Sequence, residues 1–223
     1  MEDVAYQIML LSRKFEALQN GLLADQMQQR GILYLKNYGV SLPDIDKIAF
    51  SIQKDNNFAL YCFRQNLREL KLLALRIFNL RLIKATELDE ILSGIDNIEL
   101  AEQAAFQVFG KMPVKLAPLD VIFKSGNEFV LYSGLLSIHK ILIKKTDFEE
   151  KEYLYCINLI QNVFWIDRPY IRRSLTAVLS KIAIINQDLQ ESVINCLFLI
   201  RWQNTELYES VKREILYFIT TKN

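Results

Sequence analysis

Three acidic residues share one face of a predicted helix and are the carboxylates best placed to do chemistry. Asp96, Glu99 and Glu102 follow one another at i, i+3 and i+6. We expect Asp96 and Glu99 on a solvated face, because acids stabilise the first turn of a helix. Glu102 differs in that Ala101 and Phe106 are among the small or apolar neighbours around it. Its carboxylate could face a cleft, which makes Glu102 the candidate catalytic residue.

Basic residues are concentrated in two segments of a chain whose net charge is only +1. Between residues 61 and 84, six Lys and Arg accompany one acid, and between 168 and 187 four accompany none. If each group shares a face, the surface there is locally basic and suited to phosphate contact. Trp165 follows an apolar helix and is interpreted as a core-rim aromatic or, alternatively, as a base-stacking side chain. The candidate phosphate- and base-contacting residues are Arg172, Arg173, Lys140, Lys144, Lys145 and Trp165.

The sequence lacks the residues of several common catalytic centres. His139 is the one histidine, and its position beside Ile138 and Ile141 predicts a packing or surface role. No Gly-rich phosphate loop, Cys-x-x-Cys or His-Glu-x-x-His motif occurs. We therefore expect no metal and no cofactor.

The cysteines and the N-terminal segment bear on the cellular compartment in which we expect the protein. The three cysteines are far apart, odd in number and each within an apolar stretch, which predicts buried thiols in a reducing environment. The chain starts with acidic residues, and the apolar run 8–11 is closed by Ser12, Arg13 and Lys14, so no signal peptide or membrane span is predicted. We expect a cytoplasmic protein.

Apolar residues recur at helical spacing along the chain, as in Ile171, Leu175, Val178 and Ile182. No segment alternates like a strand, and 7 Gly and 4 Pro leave few tight turns. The prediction is an all-α fold. The predicted helices cover residues 3–18, 23–36, 43–54, 57–65, 67–80, 86–94, 97–109, 127–143, 147–165, 169–184, 188–202 and 205–220.

Four capping boxes support the predicted helix starts, since a polar cap and an acid three residues later satisfy the first amides. Pro43 also suits a first helical turn. The boxes are Ser41 with Asp44, Thr86 with Asp89, Thr146 with Glu149, and Asp188 with Glu191.

Many helices with short connections favour antiparallel pairs stacked side by side. We predict one domain, residues 1–223, forming a curved α-solenoid of HEAT-like helical repeats, with a compact orthogonal bundle as the alternative. The segment 110–126, with two prolines, is the predicted irregular connection.

Several segments resemble the HEAT-like repeat family of DNA alkylation repair glycosylases. They are 26–49, with its Tyr38-Gly39-Val40-Ser41-Leu42-Pro43-Asp44-Ile45 step, then 68–74, 97–109 and 170–183. The resemblance spans residues 20–205. It implies excision of positively charged alkylated purines, aided by a carboxylate, aromatic side chains on the DNA backbone and an arginine on phosphate.

The resemblance places Glu102 at the family's aspartate, but the family's other site residues are replaced. One tryptophan falls on Ile98, an expected arginine on Gly134 or Leu135, and a second tryptophan and arginine on Ala177 and Ser180.

Three hypotheses follow from this pattern. The first is a divergent, non-catalytic repeat protein that binds a macromolecule through its concave face. The second is an active glycosylase that uses Glu102. The third is a protein–protein scaffold. We expect a monomer whose partner is duplex DNA or a protein.

Overall fold

The computed structural model describes residues 2–112, 118–144, 148–203 and 205–220. Within these ranges the chain forms α-helices and no strand, which confirms the all-α prediction. Short 3₁₀ turns occur at Phe109–Lys111 and Gln161–Val163. The helices are α1 (Glu2–Ala17), α2 (Gly21–Gln29), α3 (Leu42–Phe50), α4 (Asn56–Phe63), α5 (Arg68–Ile77), α6 (Ala85–Ser93), α7 (Ile98–Gln107), α8 (Leu119–Phe123), α9 (Glu128–Lys144), α10 (Glu150–Ile160), α11 (Pro169–Ala183), α12 (Gln187–Gln203) and α13 (Thr205–Thr220).

The helix predicted over 23–36 ends seven residues early, because the chain turns at a glycine. Gly31 has φ 77°, a left-handed conformation that glycine adopts without strain. The following residues are extended, with Leu33 and Leu35 exposed on either side of the half-buried Tyr34. Lys36 then pairs with Leu67 in an isolated parallel bridge. The segment between α2 and α3 therefore lies against the start of α5.

The predicted irregular connection 110–126 contains a short helix that the sequence reading missed. Residues 113–117 lie outside the described ranges, and α8 follows them. Its Ile122 and Phe123 are buried, and α8 packs on α9. Five residues are too few to show a helical repeat of apolar positions, so periodicity could not reveal α8.

The predicted N-cap at Ser41 is confirmed, and the capping boxes predicted at Thr86 and Asp188 are wrong. The Ser41 hydroxyl accepts a hydrogen bond from the Asp44 amide at the start of α3. At α6 the Glu87 carboxylate, not Asp89, accepts from the Lys84 amide, because the helix begins at Ala85. At α12 the cap is the Asn186 side chain, which accepts from the Leu189 amide. The box at Thr146 lies outside the described residues.

The contacts divide the chain into two compact units, Met1–Pro113 and Val114–Asn223. In the first unit α3, α5 and α7 pack in one layer, and α4, which packs on α5, also contacts α6. In the second unit α9, α11 and α13 form one layer, with α10 and α12 packed beside it. This layering of helices within each unit is the arrangement expected of stacked helical repeats.

The predicted apolar stripes form the core of each unit. The stripe from Ile171 to Ile182 is fully buried, as is the one from Leu131 to Ile138. The three cysteines are buried and unpaired, as predicted. Burial raises the pKa of all three thiols to about 12.

Candidate functional site

A cavity of about 620 Å³ opens in the first unit between α2, the start of α3, the start of α5 and α7. Glu102 lines it and is half-buried, as the sequence analysis expected for a carboxylate facing a cleft. The described residues of its wall include no aromatic side chain. They are Leu23, Met27, Arg30, Ile32, Ser41, Leu42, Pro43, Arg68, Ile98, Glu99, Glu102 and Gln103.

One wall of the cavity is a buried ion pair between the first turns of α5 and α7. Arg68, only 2% exposed, binds Glu99 through two parallel contacts, Nη2 to Oε1 at 2.7 Å and Nε to Oε2 at 2.8 Å. The Tyr34 hydroxyl donates to the same Glu99 Oε2 at 2.7 Å. The expectation that Glu99 is a solvated first-turn acid is therefore wrong. Its carboxylate joins three segments of the chain.

A second carboxylate lies behind the first and is fully buried. Glu69 Oε1 accepts from Arg68 Nη1 at 3.0 Å and from the Val40 amide at 3.2 Å. The Tyr38 amide donates to Glu69 Oε2 at 3.3 Å. Arg68 Nη1 also donates to the Val40 carbonyl at 2.9 Å. Arg68, Glu69, Glu99 and Tyr34, which we call the Arg68 network, therefore fix the segment before α3 against α5 and α7.

The electrostatics of the Arg68 network keep the Tyr34 phenol neutral and the Arg68 guanidinium charged. Burial raises the pKa of the Tyr34 hydroxyl, and the negative charge of Glu99 raises it further, so the phenol stays protonated. Burial lowers the pKa of Arg68, but its hydrogen bonds to Glu99 and the nearby negative charges outweigh this and raise it overall. The network is thus a permanently ionised arginine between two carboxylates, with a neutral phenol as donor.

The sequence reading missed this network because it treated the basic residues of 61–84 as a surface. Besides Arg68, Arg64 pairs with Glu90 in two contacts, and Arg76 pairs with Asp46. Arg64, Arg68 and Arg76 therefore do not contribute to the predicted basic face, since acids distant in sequence neutralise these three arginines. One signal was available: Arg68 and Glu69 lie between Leu67 and Leu70 at the start of a helix with an otherwise apolar core face.

At positions where the resemblance expects the family's aromatic and arginine side chains, the chain carries Ile98, Gly134 and Ser180. Ile98 contributes an aliphatic side chain to the wall beside Glu102. In the second unit Gly134 is buried, and a Cβ added there would lie 2.6 Å from Ile122 Cγ2 and 2.8 Å from Phe123 Cε2. Ser180 is buried, and within the described ranges its hydroxyl oxygen has no hydrogen-bond partner. An arginine at Gly134 would require the core around α8 to rearrange.

The predicted DNA-contacting residues of the second unit differ in exposure. Arg173 and Lys144 are exposed, whereas Lys140 is half-buried. Arg172 Nη2 pairs with Asp167 Oδ1 at 2.8 Å, although its buried Nε has no hydrogen-bond partner among the described residues. Trp165 is 60% exposed and its indole N–H donates to the Asn162 carbonyl at 2.7 Å, so most of the side chain lies outside the core. Lys145 lies outside the described residues.

These residues do not form one cluster. The starts of α9 and α11 lie side by side, because Arg168 Nε donates to Glu128 Oε2 and the Tyr170 ring stacks on Phe129. The two helices therefore run in the same direction. Arg172 and Arg173 lie at that end. Lys140 and Lys144 lie in the last turns of α9, about 13 Å and about 19 Å further along at 1.5 Å per residue. The second unit therefore carries two separate groups of cations.

The part of the chain that the structure describes holds no group of three or more His, Cys, Asp or Glu side chains able to bind a metal. None of its helices combines the length and hydropathy needed to cross a bilayer.

The layered helices and the cavity between them define a helical-repeat protein with a polar site at the helix starts. A family model described as "DNA alkylation repair enzyme" matches residues 11–195, and the chain belongs to that family. A comparison with curated protein sequences finds no match. The structure is similar, with a TM-score of 0.70, to one described as "A new family of proteins related to the HEAT-like repeat DNA glycosylases with affinity for branched DNA structures". The two share 15% identity over 86% of this chain and 83% of the other, which confirms the HEAT-like repeat fold.

Proposed function

We propose that this protein is a DNA-binding scaffold of the alkylation repair family whose base-excision activity is reduced or lost. The observation that carries the proposal is the wall of the Glu102 cavity. Its described residues offer one aliphatic side chain at the position of a family tryptophan, and no aromatic group that could contact the DNA backbone. Charge-assisted and aromatic contacts each contribute on the order of 1 kcal/mol or more, and a loss of about 1.4 kcal/mol already lowers a rate tenfold.

Binding to DNA is supported by family membership and by the second unit's exposed cations. The structurally similar protein is described as having affinity for branched DNA, and we extend that affinity to this chain as part of the proposal. Arg173 and Lys144 are the exposed cations among the described residues of the predicted contact set. We further propose that the chain acts as a monomer in the cytoplasm, where its buried thiols would stay reduced.

The binding experiment titrates labelled duplex and four-way-junction DNA with the protein at several salt concentrations. Wild type should bind with an affinity that falls as salt rises, with a log–log slope of about 0.9 per phosphate contact on duplex DNA. The double variant Arg173→Ala, Lys144→Ala should show a smaller slope. The matched control is Arg13→Ala, Lys14→Ala, which removes the same two charge types from α1. If wild type binds neither DNA at low salt, the proposal fails.

An active glycosylase is the second candidate, and it is favoured by one observation: Glu102 lines the cavity with its side chain half-buried. A carboxylate there could stabilise the cationic sugar that forms as the base leaves. Excision of 7-methylguanine or 3-methyladenine that Glu102→Gln abolishes would establish this activity. A protein partner, the third hypothesis, becomes the better explanation if no nucleic acid binds.

A further inference from the structure

We propose that a second groove on the first unit binds the phosphate backbone of a nucleic acid. This cationic groove has a volume of about 610 Å³ and shares no lining residue with the Glu102 cavity. The inference rests on the proposed DNA-binding function and gives it a surface that the sequence analysis did not identify. The groove is lined by Lys54, Asn79, Leu80, Arg81 and Lys111.

The helical repeat explains why three cations from distant parts of the chain meet here. The starts of α5 and α7 meet at the Arg68–Glu99 pair, and Val40, just before α3, accepts from the same arginine. The three helices therefore run in one direction, and their C-terminal ends lie at one edge of the layer. Each of the connections that follow them supplies one cation: Lys54 after α3, Arg81 after α5 and Lys111 after α7.

The loop that carries Arg81 is held in place by hydrogen bonds. The Asn79 amide donates to Asn56 Oδ1 at 2.7 Å, and the Arg81 amide donates to Asn79 Oδ1 at 3.3 Å. Asn56 in turn donates to the Glu87 carboxylate at 2.9 Å. That carboxylate is only 5% exposed and does not line the groove. The loop is thus anchored to α4 and α6.

The charge of the groove has one sign. Its described lining residues include three cations and no acid. Lys54 and Arg81 are exposed, and neither forms an ion pair within the described part of the chain. The Lys111 amine donates to the neutral amide of Gln107 at 2.5 Å. Since no buried acid offsets this charge in the lining, an anion entering the groove is attracted.

The spacing of the cations favours a row of phosphates over a single small anion. Packed helices lie about 8–10 Å apart, so connections from three successive helices of one layer span about 20 Å. One strand of duplex DNA places a phosphate about every 3.4 Å along the axis, so such a row could meet several phosphates. The lining residues that the structure describes include no aromatic side chain on which a base could stack. We therefore expect backbone contact without sequence preference.

The test compares two triple variants in the salt titration of duplex and junction DNA. The groove variant is Lys54→Ala, Arg81→Ala, Lys111→Ala. The control is Arg13→Ala, Lys14→Ala, Lys124→Ala, which removes one arginine and two lysines from exposed positions outside the groove. All six side chains are on the surface, so circular dichroism should show both variants folded.

If the inference is right, the log–log salt slope of the groove variant falls by up to about 0.9 for each phosphate contact removed. Its affinity for DNA at low salt falls at least tenfold. The slope and the affinity of the control variant change less. If wild type binds and the groove variant binds equally well with the same slope, the inference is wrong while the proposed function stands. If wild type does not bind, both fail. Equal losses in the two triple variants would mean that overall charge matters and the groove does not.

Discussion

Arg68 of the first unit and Arg168 and Arg173 of the second unit lie in opposite environments. In the first unit Arg68 is buried and pairs with two carboxylates, and these ion pairs hold the wall of the Glu102 cavity in place. In the second unit Arg168 pairs with Glu128 at the surface, and Arg173 is exposed. A buried ion pair positions segments rigidly, whereas an exposed guanidinium can exchange its partner for a phosphate. We therefore expect the arginine beside the cavity to have a structural role and the exposed cations to contact DNA.

The largest expected effect comes from removing the buried arginine. Arg68→Met leaves Glu69 and Glu99 without their counter-charge, and we expect the free energy of unfolding to fall by about 3–5 kcal/mol. The matched control, Arg168→Met, removes an exposed arginine and should differ little from wild type. Urea denaturation measures both. Equal stability of the two variants would contradict the contrast between the units.

We expect a smaller loss of stability when the Tyr34 hydroxyl is removed from the Arg68 network. Tyr34→Phe removes the hydroxyl that donates to Glu99, a buried bond to a charged group worth about 1.5–3 kcal/mol. Tyr6→Phe, at an exposed tyrosine of α1, serves as the control and should leave the denaturation midpoint unchanged. A Tyr34 variant as stable as wild type would show that the hydrogen bond adds nothing to the Arg68 pair.

The tight core of the second unit can be tested at its buried glycine. Gly134→Leu pushes a side chain into Ile122 and Phe123, and overpacking of this kind typically costs about 1–3 kcal/mol. Gly126→Leu is the matched control because nothing lies within 4 Å of a Cβ there. Thermal unfolding of both variants compares the sites. A Gly134 variant that keeps the wild-type melting temperature would mean that the position could hold a larger residue after all.

The smallest expected effect is a pH dependence of the unfolding free energy, caused by His139 in the second unit. Burial lowers the pKa of His139 below its usual 6.5, and the charge of Lys181 lowers it further. The folded state therefore binds this proton less readily than the unfolded chain, so stability is complete above pH 6.5 and decreases as the pH falls below it. His139→Gln should flatten the fall in unfolding free energy between pH 7.5 and about 5. An unchanged slope would exclude His139, the one histidine of the chain, as its source.

The sequence predicted what depends on local periodicity and missed what depends on distant partners. The apolar stripe from Ile171 to Ile182 is a local pattern, since its members are three or four residues apart. The cap at Ser41 is local too, since it involves residues three positions apart. Both are confirmed. The pairing of Arg68 with Glu99 joins residues 31 positions apart, and no local pattern encodes it. The loop at Gly31 was read as helix because the apolar residues around it also fit helical spacing. The expectation that Glu102 could face a cleft rests on a local signal, a carboxylate among small residues; Glu102 does line the cavity, and its catalytic role stays a prediction.

The central claim is that the scaffold persists while base excision is reduced or lost, and a single-turnover excision assay tests it most directly. Duplex DNA carrying 7-methylguanine is incubated with a saturating excess of protein, and released base is measured against DNA alone. We predict that wild type and Glu102→Gln release base at rates close to that of spontaneous loss. Release by wild type that is at least a hundredfold faster, and that Glu102→Gln abolishes, would contradict the account.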